Sequence, residues 1–254
     1  MKKSIKRVLF GTGLAIIMLV LISVGFMMKM KSEIKTMHST ETGLIVNNIS
    51  AIQDGFSNLF LVKSDENYIA IDAGQNPTVI AQELQKLDIK PEKIIAVLLT
   101  HSDSDHVGAL NLFTNAKVYL SKQEEPLVTG EKSRVLFIKN KIDTKAYTTL
   151  TDQQVLRIGN RNIQAVLTPG HTPGSMCFLI DDKYLFTGDA LSLKESKIAQ
   201  FNEFFNMDTE EAIHSLDKIA HFQDVEYIFT AHHGVSNDYK YAIANSEILT
   251  AKAK

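Results

Sequence analysis

The chain contains a single cysteine, Cys177, so no disulfide can form within it. This scarcity is compatible with both an exported bacterial-type domain and a cytosolic one. From Leu44 onward the chain also lacks a Pro/Gly/Ser-rich linker, an internal repeat and a low-complexity tract. Without such boundaries, residues 44–254 are predicted to form one domain of ordinary globular composition.

Acidic residues are absent from the first 31 positions, which hold six Lys and Arg. Residues 8–28 carry no charge and, at about 1.5 Å per helical residue, would span roughly 30 Å, the thickness of a bilayer's hydrocarbon core. The run ends in "FMMKMK" without an A-x-A cleavage pattern. Residues 1–31 are therefore predicted to be an uncleaved membrane anchor, with a cleaved signal peptide as the alternative.

The positive charges around this apolar run are unequal, since four precede it and only Lys29 and Lys31 follow it closely. The positive-inside tendency predicts that the N-terminus stays in the cytoplasm and that the rest of the chain lies outside. If the segment is cleaved, the domain would be secreted. The polar, aperiodic residues 32–43 are interpreted as a tether.

Basic residues are too few in the rest of the chain for a nucleic-acid-binding surface. Residues 32–254 hold 21 Lys and Arg against 29 Asp and Glu, so acidic side chains outnumber basic ones by eight. A polyanion ligand requires the opposite sign of charge. A small-molecule substrate is therefore expected, and nucleic acid is not.

Strand-like runs alternate with helical patterns in two similar halves of the domain. Runs such as "NLFLVK", "KIIAVLLT", "MCFLI" and "VEYIFTA" are typical of strands, whereas "PTVIAQELQKLD" and "DTEEAIHSLDKIA" have helical spacing. Asp181 and Asp182 are predicted to form a hairpin turn. The pattern predicts an α/β (α+β) domain in which sheets pack together and helices lie outside.

Metal-type ligands follow four of the strand-like runs. They are His101, Asp103, Asp105 and His106 in "LLTHSDSDHVGAL", His171 in "TPGHTPGS", Asp189 in "FTGDA", and His232 and His233 in "TAHHG". Imidazole and carboxylate bind Zn, Fe or Mn, and loops at strand ends can converge on one point. Any one loop could be a polar turn, but the four together exceed the needs of one four-coordinate ion. They predict two metal ions that share a bridging carboxylate.

Four segments resemble, in order, the motifs of the metallo-β-lactamase superfamily of hydrolases: "IDAG", "LLTHSDSDHVGAL", "LTPGHTPGSMCFLIDDKYLFTGDAL" and "IFTAHHG". The resemblance implies a four-layer αβ/βα sandwich with the metals at one edge of the paired sheets. The ligand set that it implies is His101, Asp103 and His171 for the first metal, Asp105, His106 and His232 for the second, and Asp189 between them. A second alignment puts His233 in the place of His232.

Asp103 departs from the commonest pattern of the superfamily, H-x-H-x-D-H, because it replaces the second histidine. The expected cofactor is two divalent ions, with zinc as the first choice. Mn and Fe are alternatives, because oxygen ligands favour harder ions. In a second interpretation Asp103 weakens the first site, and the enzyme works with one tightly bound metal.

The resemblance implies a metal-dependent hydrolase in which Asp105 both holds a metal and orients the attacking hydroxide. One alternative is a di-iron redox centre of flavodiiron type, which only Asp103 favours. Another is a metal-binding domain without catalysis. β-Lactamase activity is not favoured, and Cys177, in a predicted strand, is interpreted as core.

A cluster of apolar side chains follows the third motif and bears on the substrate. Phe201, Phe204, Phe205 and Met207 lie within seven residues. Ligand pockets have apolar walls with few polar groups, so these residues favour an ester, lactone or related acyl substrate if they line the pocket. Alternatively they pack the following helix onto the sheet.

Overall fold

The computed structural model describes residues 2–135, 138–140, 142, 146–246 and 248–249. The chain divides into two units, Met1–Met37 and His38–Lys254. The first unit is formed by helix α1, Lys2–Ile34. Lys29 and Glu33 form an ion pair one turn apart near the end of this helix.

The helix covers the predicted membrane anchor at residues 8–28. Within the described part of the chain, however, no helix has both the length and the apolar character that crossing a membrane requires. The prediction of a transmembrane helix is therefore not supported by the structure.

The predicted tether, residues 32–43, is partly ordered on the second unit. The Ser39 hydroxyl donates to the Gly55 carbonyl at 2.7 Å. The backbone N–H of Thr40 donates to Asn58 Oδ1 at 2.7 Å, and that of His38 donates to the His232 carbonyl at 2.6 Å. These bonds fix the chain from residue 38 onward.

Among the described residues of the second unit, the first sheet has seven strands in sequential order. They are β1 Gly43–Val46, β2 Ile49–Asp54, β3 Ser57–Ser64, β4 Asn67–Ile71, β5 Ile94–Leu98, β6 Lys117–Ser121 and β7 Thr148–Leu150. The strands from β1 to β4 pair antiparallel, and those from β4 to β7 pair parallel.

The second sheet has the order β15-β14-β11-β10-β9-β8, and a small hairpin, β12-β13, stands apart from it. The strands are β8 Val155–Ile158, β9 Arg161–Leu167, β10 Met176–Ile180, β11 Tyr184–Gly188, β12 Ser192–Lys194, β13 Lys197–Ala199, β14 Tyr227–Thr230 and β15 Val235–Ser236. Asp181 and Asp182, both with positive φ (53° and 58°), are the central residues of the turn between β10 and β11, which the Lys183 N–H closes by donating to the Ile180 carbonyl at 3.1 Å.

Short helices complete the unit. They are α2 Pro77–Lys86, α3 Ser104–Val107, α4 Glu125–Val128, α5 Thr209–Ile219 and α6 Tyr239–Ala244, with 3-10 turns at Pro91–Lys93, Leu110–Leu112, Lys122–Glu124 and Glu203–Phe205. The two amphipathic helices begin at N-caps: Asn76 accepts from the Thr78 N–H, and Asp208 accepts from the Glu211 N–H.

The buried side chains define four layers. Phe60 of the first sheet packs against Phe186 and Phe229 of the second, with ring centroids 5.6 and 5.3 Å away, in the cluster between the sheets. Alternate residues of β5 face this cluster and the outer one, so the strand is buried on both faces as its continuous apolar run predicts.

The outer faces of the two sheets carry the helices. Ile80 and Leu84 of α2 pack on the first sheet, and Leu216 and Ile219 of α5 pack on the second. The order of layers is therefore helix, sheet, sheet, helix, which confirms the predicted mixed α/β sandwich.

The strands that precede the metal-type ligands end at one edge of the sandwich. β11 and β14 run parallel, and β9 points the same way because it is antiparallel to β10, which is antiparallel to β11. Backbone hydrogen bonds join the two sheets at this edge, from the Met176 N–H to the Thr100 carbonyl (2.9 Å) and from the Asn58 N–H to the Ala231 carbonyl (2.8 Å). The loops after β5, β9, β11 and β14 thus converge.

Candidate metal centre

Seven of the predicted ligands meet at this edge. Their donor atoms form three overlapping groups, and within each group the atoms lie within 4.8 Å of one another. The groups are His101, Asp103 and His171; His101, His106 and Asp189; and Asp105, His106 and His232. The loop after β5 and the helix α3 supply four of these side chains, and the other three come from three loops of the second sheet. The sequence motifs therefore converge as predicted.

Asp189 lies between the two ends of the cluster. Its Oδ2 is 3.4 Å from His171 Nε2 and 3.9 Å from His101 Nε2. Its Oδ1 is 3.2 Å from His232 Nε2 and 3.6 Å from His106 Nε2. One oxygen of this carboxylate thus faces one half of the site, with His101 and His171, and the other oxygen faces the other half, with His106 and His232. A bridging ligand needs this arrangement.

The donor set fits divalent metal ions. Among the described residues, His101 Nε2, His106 Nε2 and Asp189 Oδ1 are buried without a hydrogen-bond partner, although buried polar atoms are normally satisfied. Imidazole nitrogen and carboxylate oxygen are the ligands of Zn, Fe and Mn. These atoms all face the interior of the cluster, where a cation would satisfy them.

Outer contacts orient three of the imidazoles. His106 Nδ1 lies 2.8 Å from Asp72 Oδ2, and Asp72 also accepts from the backbone N–H of Thr100 at 2.7 Å. His232 Nδ1 lies 2.9 Å from the Phe56 carbonyl, which can only accept. His101 Nδ1 lies 3.0 Å from the Thr100 hydroxyl. A neutral imidazole that donates from Nδ1 keeps its lone pair on Nε2, so these contacts aim Nε2 into the site.

His232, and not His233, belongs to the cluster in the described part of the chain. The His232 ring stacks on Phe56 at 5.6 Å between centroids. The His233 backbone turns away and donates to Thr230 Oγ1 at 2.9 Å. Burial, together with the neighbouring His232, lowers the pKa of the His233 imidazole to about 4. The geometry thus selects the first of the two alignments.

The carboxylates remain ionised despite their burial. Burial disfavours the charged form of Asp189, but the imidazoles of His232, His106 and His171 outweigh it and hold the pKa of this carboxyl well below its ordinary value. The same balance lowers the pKa of Asp105, with His106 as its strongest positive neighbour. Ionised carboxylate oxygens therefore lie beside the point where the Nε2 atoms converge.

Glu124, which no sequence motif indicates, joins the loop that carries His101 to the loop that carries His171. This carboxylate is fully buried. Its Oε1 accepts from the Ser102 N–H and hydroxyl (2.9 and 2.6 Å), and its Oε2 accepts from the Thr172 hydroxyl and the Gly174 N–H (2.7 and 3.1 Å). A Cβ at Gly174 would come within 2.3 Å of the Glu124 backbone, so only glycine fits there. "KQEEP" has no pattern that indicates such a role.

Cys177 is buried in β10, as its strand pattern predicts. Burial raises the pKa of its thiol to about 12. The thiol contacts Thr168 Oγ1 at 3.4 Å and belongs to the cluster on the outer face of the second sheet. It is a core residue and lies outside the ligand groups of the described chain.

A sandwich of two sheets with helices outside and a His/Asp cluster at the shared edge defines a metallo-hydrolase type of fold. A profile described as the metallo-beta-lactamase superfamily matches residues 52–232. The chain belongs to the metallo-beta-lactamase superfamily, and the match confirms the resemblance that the motifs indicate.

Individual relatives agree with this assignment. The probable polyketide biosynthesis zinc-dependent hydrolase PksB of Bacillus subtilis (strain 168) is 32% identical over 152 residues, which cover 58% of this chain and 60% of that protein. The chain thus spans about three fifths of the length of that relative. The hydroxyacylglutathione hydrolase of Aliivibrio fischeri (strain ATCC 700601 / ES114) is 26% identical over 206 residues, covering 79% of this chain and 70% of that protein.

A solved structure shows the same fold. The crystal structure of a metallo-beta-lactamase family protein from Thermus thermophilus has a TM-score of 0.64 and 19% sequence identity, and the match covers 83% of this chain and 81% of that chain. At 19% sequence identity, this likeness shows that the two chains share a fold.

Glu124→Gln is expected to destabilise the protein. The change places an amide NH₂ against groups that already donate, and the loss of charge-assisted hydrogen bonds should lower the free energy of unfolding by about 2 kcal/mol. Urea denaturation measures this change, with Glu131→Gln, an exposed glutamate, as the control. Equal stability of the two variants would contradict a role for Glu124 in joining the loops.

Proposed function

We propose that the protein is a metal-dependent hydrolase with a dinuclear site. The position of Asp189 between two groups of His and Asp ligands is the observation that carries the proposal. His101, Asp103 and His171 would hold one ion, Asp105, His106 and His232 would hold the other, and Asp189 would contact both. The imidazole-rich donor set, and the relative named a zinc-dependent hydrolase, support zinc over Mn or Fe.

Divalent cations in such a site supply an activated water near neutral pH and polarise the oxygen of the bond to be cleaved. Asp105 would orient the attacking water, and the position of its Oδ2, 3.3 Å from His232 Nε2 and 3.5 Å from His106 Nε2, supports this role. Asp72 holds His106 in position through Nδ1. These residues keep the proton-accepting carboxylate and its neighbours in a fixed geometry.

The hydrolase proposal is tested with the purified full-length chain. The protein is freed of metal with a chelator and then given Zn²⁺, Mn²⁺ or Fe²⁺ in a hydrolysis screen of esters, lactones, thioesters, phosphodiesters and β-lactams. We expect no hydrolysis without metal and recovery with one of the three ions. Full activity of the metal-free protein would refute the proposal, and an iron-specific, oxygen-consuming activity would replace it with redox chemistry.

Asp189→Ala is expected to loosen both ions, since the carboxylate faces both halves of the site. Elemental analysis after desalting should show fewer metal ions per chain than in the wild-type protein. Asp224→Ala removes an exposed carboxylate and should leave the metal content unchanged. An unchanged metal content in Asp189→Ala would mean that Asp189 is not the bridging ligand.

We propose further that the substrate is an ester, lactone or related acyl compound. Phe201 is buried and packs edge-on against His171, with ring centroids 5.1 Å apart, and it lies 6.0 Å from the His232 ring. Phe205 continues this aromatic surface 6.3 Å from Phe201, and Phe204 contacts Phe205 at 5.1 Å. An apolar wall beside the ligands favours an apolar group next to the scissile bond.

Phe204→Ala and Phe205→Ala test this assignment. Loss of the contact with an acyl chain should raise KM about tenfold for long-chain esters, with little effect on short ones. The control is Phe222→Ala, since Phe222 is half-buried in the cluster on the outer face of the second sheet. This substitution should not change how KM depends on chain length. A lower melting temperature without any dependence of KM on chain length would show that these aromatics only pack the fold.

The location of the hydrolase unit outside the cytoplasm stays a prediction, since it rests on the charge bias around residues 8–28. External protease on intact cells should remove the unit while the N-terminus stays protected. Protection of the whole chain until the cells are lysed would contradict this location.

A further inference from the structure

Arg134 places its guanidinium against Asp103 and His171. Its Nε donates to both oxygens of Asp103, at 2.8 Å to Oδ1 and 3.0 Å to Oδ2. Its Nη2 donates to the Phe205 carbonyl at 2.7 Å. The side chain is only 9% exposed. Arg134 is therefore held on two sides, by a ligand carboxylate and by the backbone of the aromatic segment.

The same guanidinium engages the ligand nitrogen of His171. Arg134 Nη2 lies 3.2 Å from His171 Nε2. A guanidinium has no acceptor, so the imidazole must offer its lone pair if the two form a hydrogen bond. Each imidazole nitrogen has one lone pair, which either accepts this N–H or binds a metal. If Nε2 instead carries a proton and donates to Asp103 Oδ2, 3.1 Å away, it again has no lone pair for a metal.

The Asp103 carboxylate also accepts hydrogen bonds from side chains, which occupy oxygens that could otherwise bind a metal. Besides Arg134, its Oδ1 accepts from Asn140 Nδ2 at 3.0 Å, and Asn140 also donates to the Ser102 hydroxyl at 2.7 Å. Only Oδ2 faces the histidines, 3.1 Å from His171 Nε2 and 3.6 Å from His101 Nε2. The charge of this carboxylate is balanced by a fixed cation.

Among the residues that the structure describes, no arginine or lysine forms an ion pair with the ligands of the other half, Asp105, His106 and His232. Within the described residues, the ion-pair partners of Asp105 are His106 and His232, and those of Asp189 are histidines. The outer contact of His106 is the Asp72 carboxylate, which increases the negative charge beside that imidazole. The two halves therefore differ in charge, and a divalent cation favours the half without Arg134.

We propose that Arg134 competes with a metal ion for His171 and Asp103, so that the centre binds one divalent ion tightly, between Asp105, His106 and His232, and a second one only weakly. The guanidinium supplies a fixed positive charge on the side where the first ion would bind. A second ion binds at this half only when Arg134 releases the two ligands. This inference rests on the proposed metal centre and specifies how unequal its two halves are.

The proposal is tested by comparing zinc binding in the wild-type protein and in Arg134→Gln, both full-length and metal-free. This substitution removes the charge but keeps a polar side chain. Titration calorimetry and elemental analysis give the affinity and the number of ions per chain. We expect one tightly bound ion in the wild-type protein and two in Arg134→Gln, with the weaker affinity improved about tenfold or more. Adding Asp103→Ala to Arg134→Gln should return the number to one, because it removes a ligand from the released half.

The matched control is Arg161→Gln. Arg161 also pairs with an aspartate, Asp181, at 2.7 Å and donates from Nε to the Lys63 carbonyl at 2.9 Å, and its side chain is 15% exposed. It lies outside the ligand groups of the described chain, so its loss should leave one tightly bound ion.

A second variant, Arg134→Lys, keeps the charge with fewer contacts and should also bind one ion tightly. It preserves the test if Arg134→Gln does not fold, as judged by thermal unfolding, since two tight ions in Arg134→Lys would exclude competition by charge.

Two equally tight ions in the wild-type protein would overturn the proposal. A lower metal content in Arg134→Gln than in the wild type would also overturn it, because Arg134 would then position Asp103 as a ligand. The absence of any zinc binding, in the wild-type protein and in every variant, would refute the proposed metal centre itself and is thus a different result.

Discussion

Three aspartates, Asp103, Asp105 and Asp189, contact a shared set of histidines at the edge where the two sheets meet, and the negative charge that they concentrate there is the constraint on which the site depends. Buried like charges repel each other and lose hydration, so such a group persists only with positive or hydrogen-bonding partners on every side. The imidazoles of His101, His106, His171 and His232 surround the carboxylates and supply those partners. A bound cation would complete the balance, which is why the donor set fits a metal.

The fold meets this constraint with rigid supports around the ligand loops. Backbone hydrogen bonds join the two sheets at the active edge, from Met176 to Thr100 and from Asn58 to Ala231. Glu124 connects the loop after β5 with the loop after β9. The loops after β5, β9 and β14 are therefore each anchored to a second part of the chain, which limits how far the ligands can move apart.

The two halves of the site are built differently, although one carboxylate, Asp189, faces both. Asp105, His106 and His232 lie against an outer carboxylate and a backbone carbonyl, which strengthen the imidazoles as ligands. Asp103 and His171 lie against the guanidinium of Arg134 and close to the aromatic wall of Phe201 and Phe205. In the proposed centre the tighter cation site would be the half that carries His232, and Phe201 lies beside both halves, 5.1 Å from the His171 ring and 6.0 Å from the His232 ring. Such an aromatic surface would suit an apolar chain next to the scissile group.

Local sequence determined much of the fold and of the ligand set. The run before His101 is long and apolar because β5 is buried on both faces, and the helical spacing after Pro77 and Asp208 matches helices that begin at capped residues. The Asp181-Asp182 turn follows from residues that tolerate positive φ. Such features depend on neighbours in the chain, so a single sequence predicts them.

Other features were decided only by the tertiary structure. The choice between His232 and His233 depends on the Phe56 carbonyl, and the roles of Glu124 and Arg134 depend on loops that lie 22 to 71 residues away along the chain. The prediction of a membrane anchor from residues 8–28 rested on an uncharged run, and the described structure does not support it. An ion pair or a buried hydrogen bond between distant residues leaves no periodic mark in the sequence, because only folding brings its two partners together.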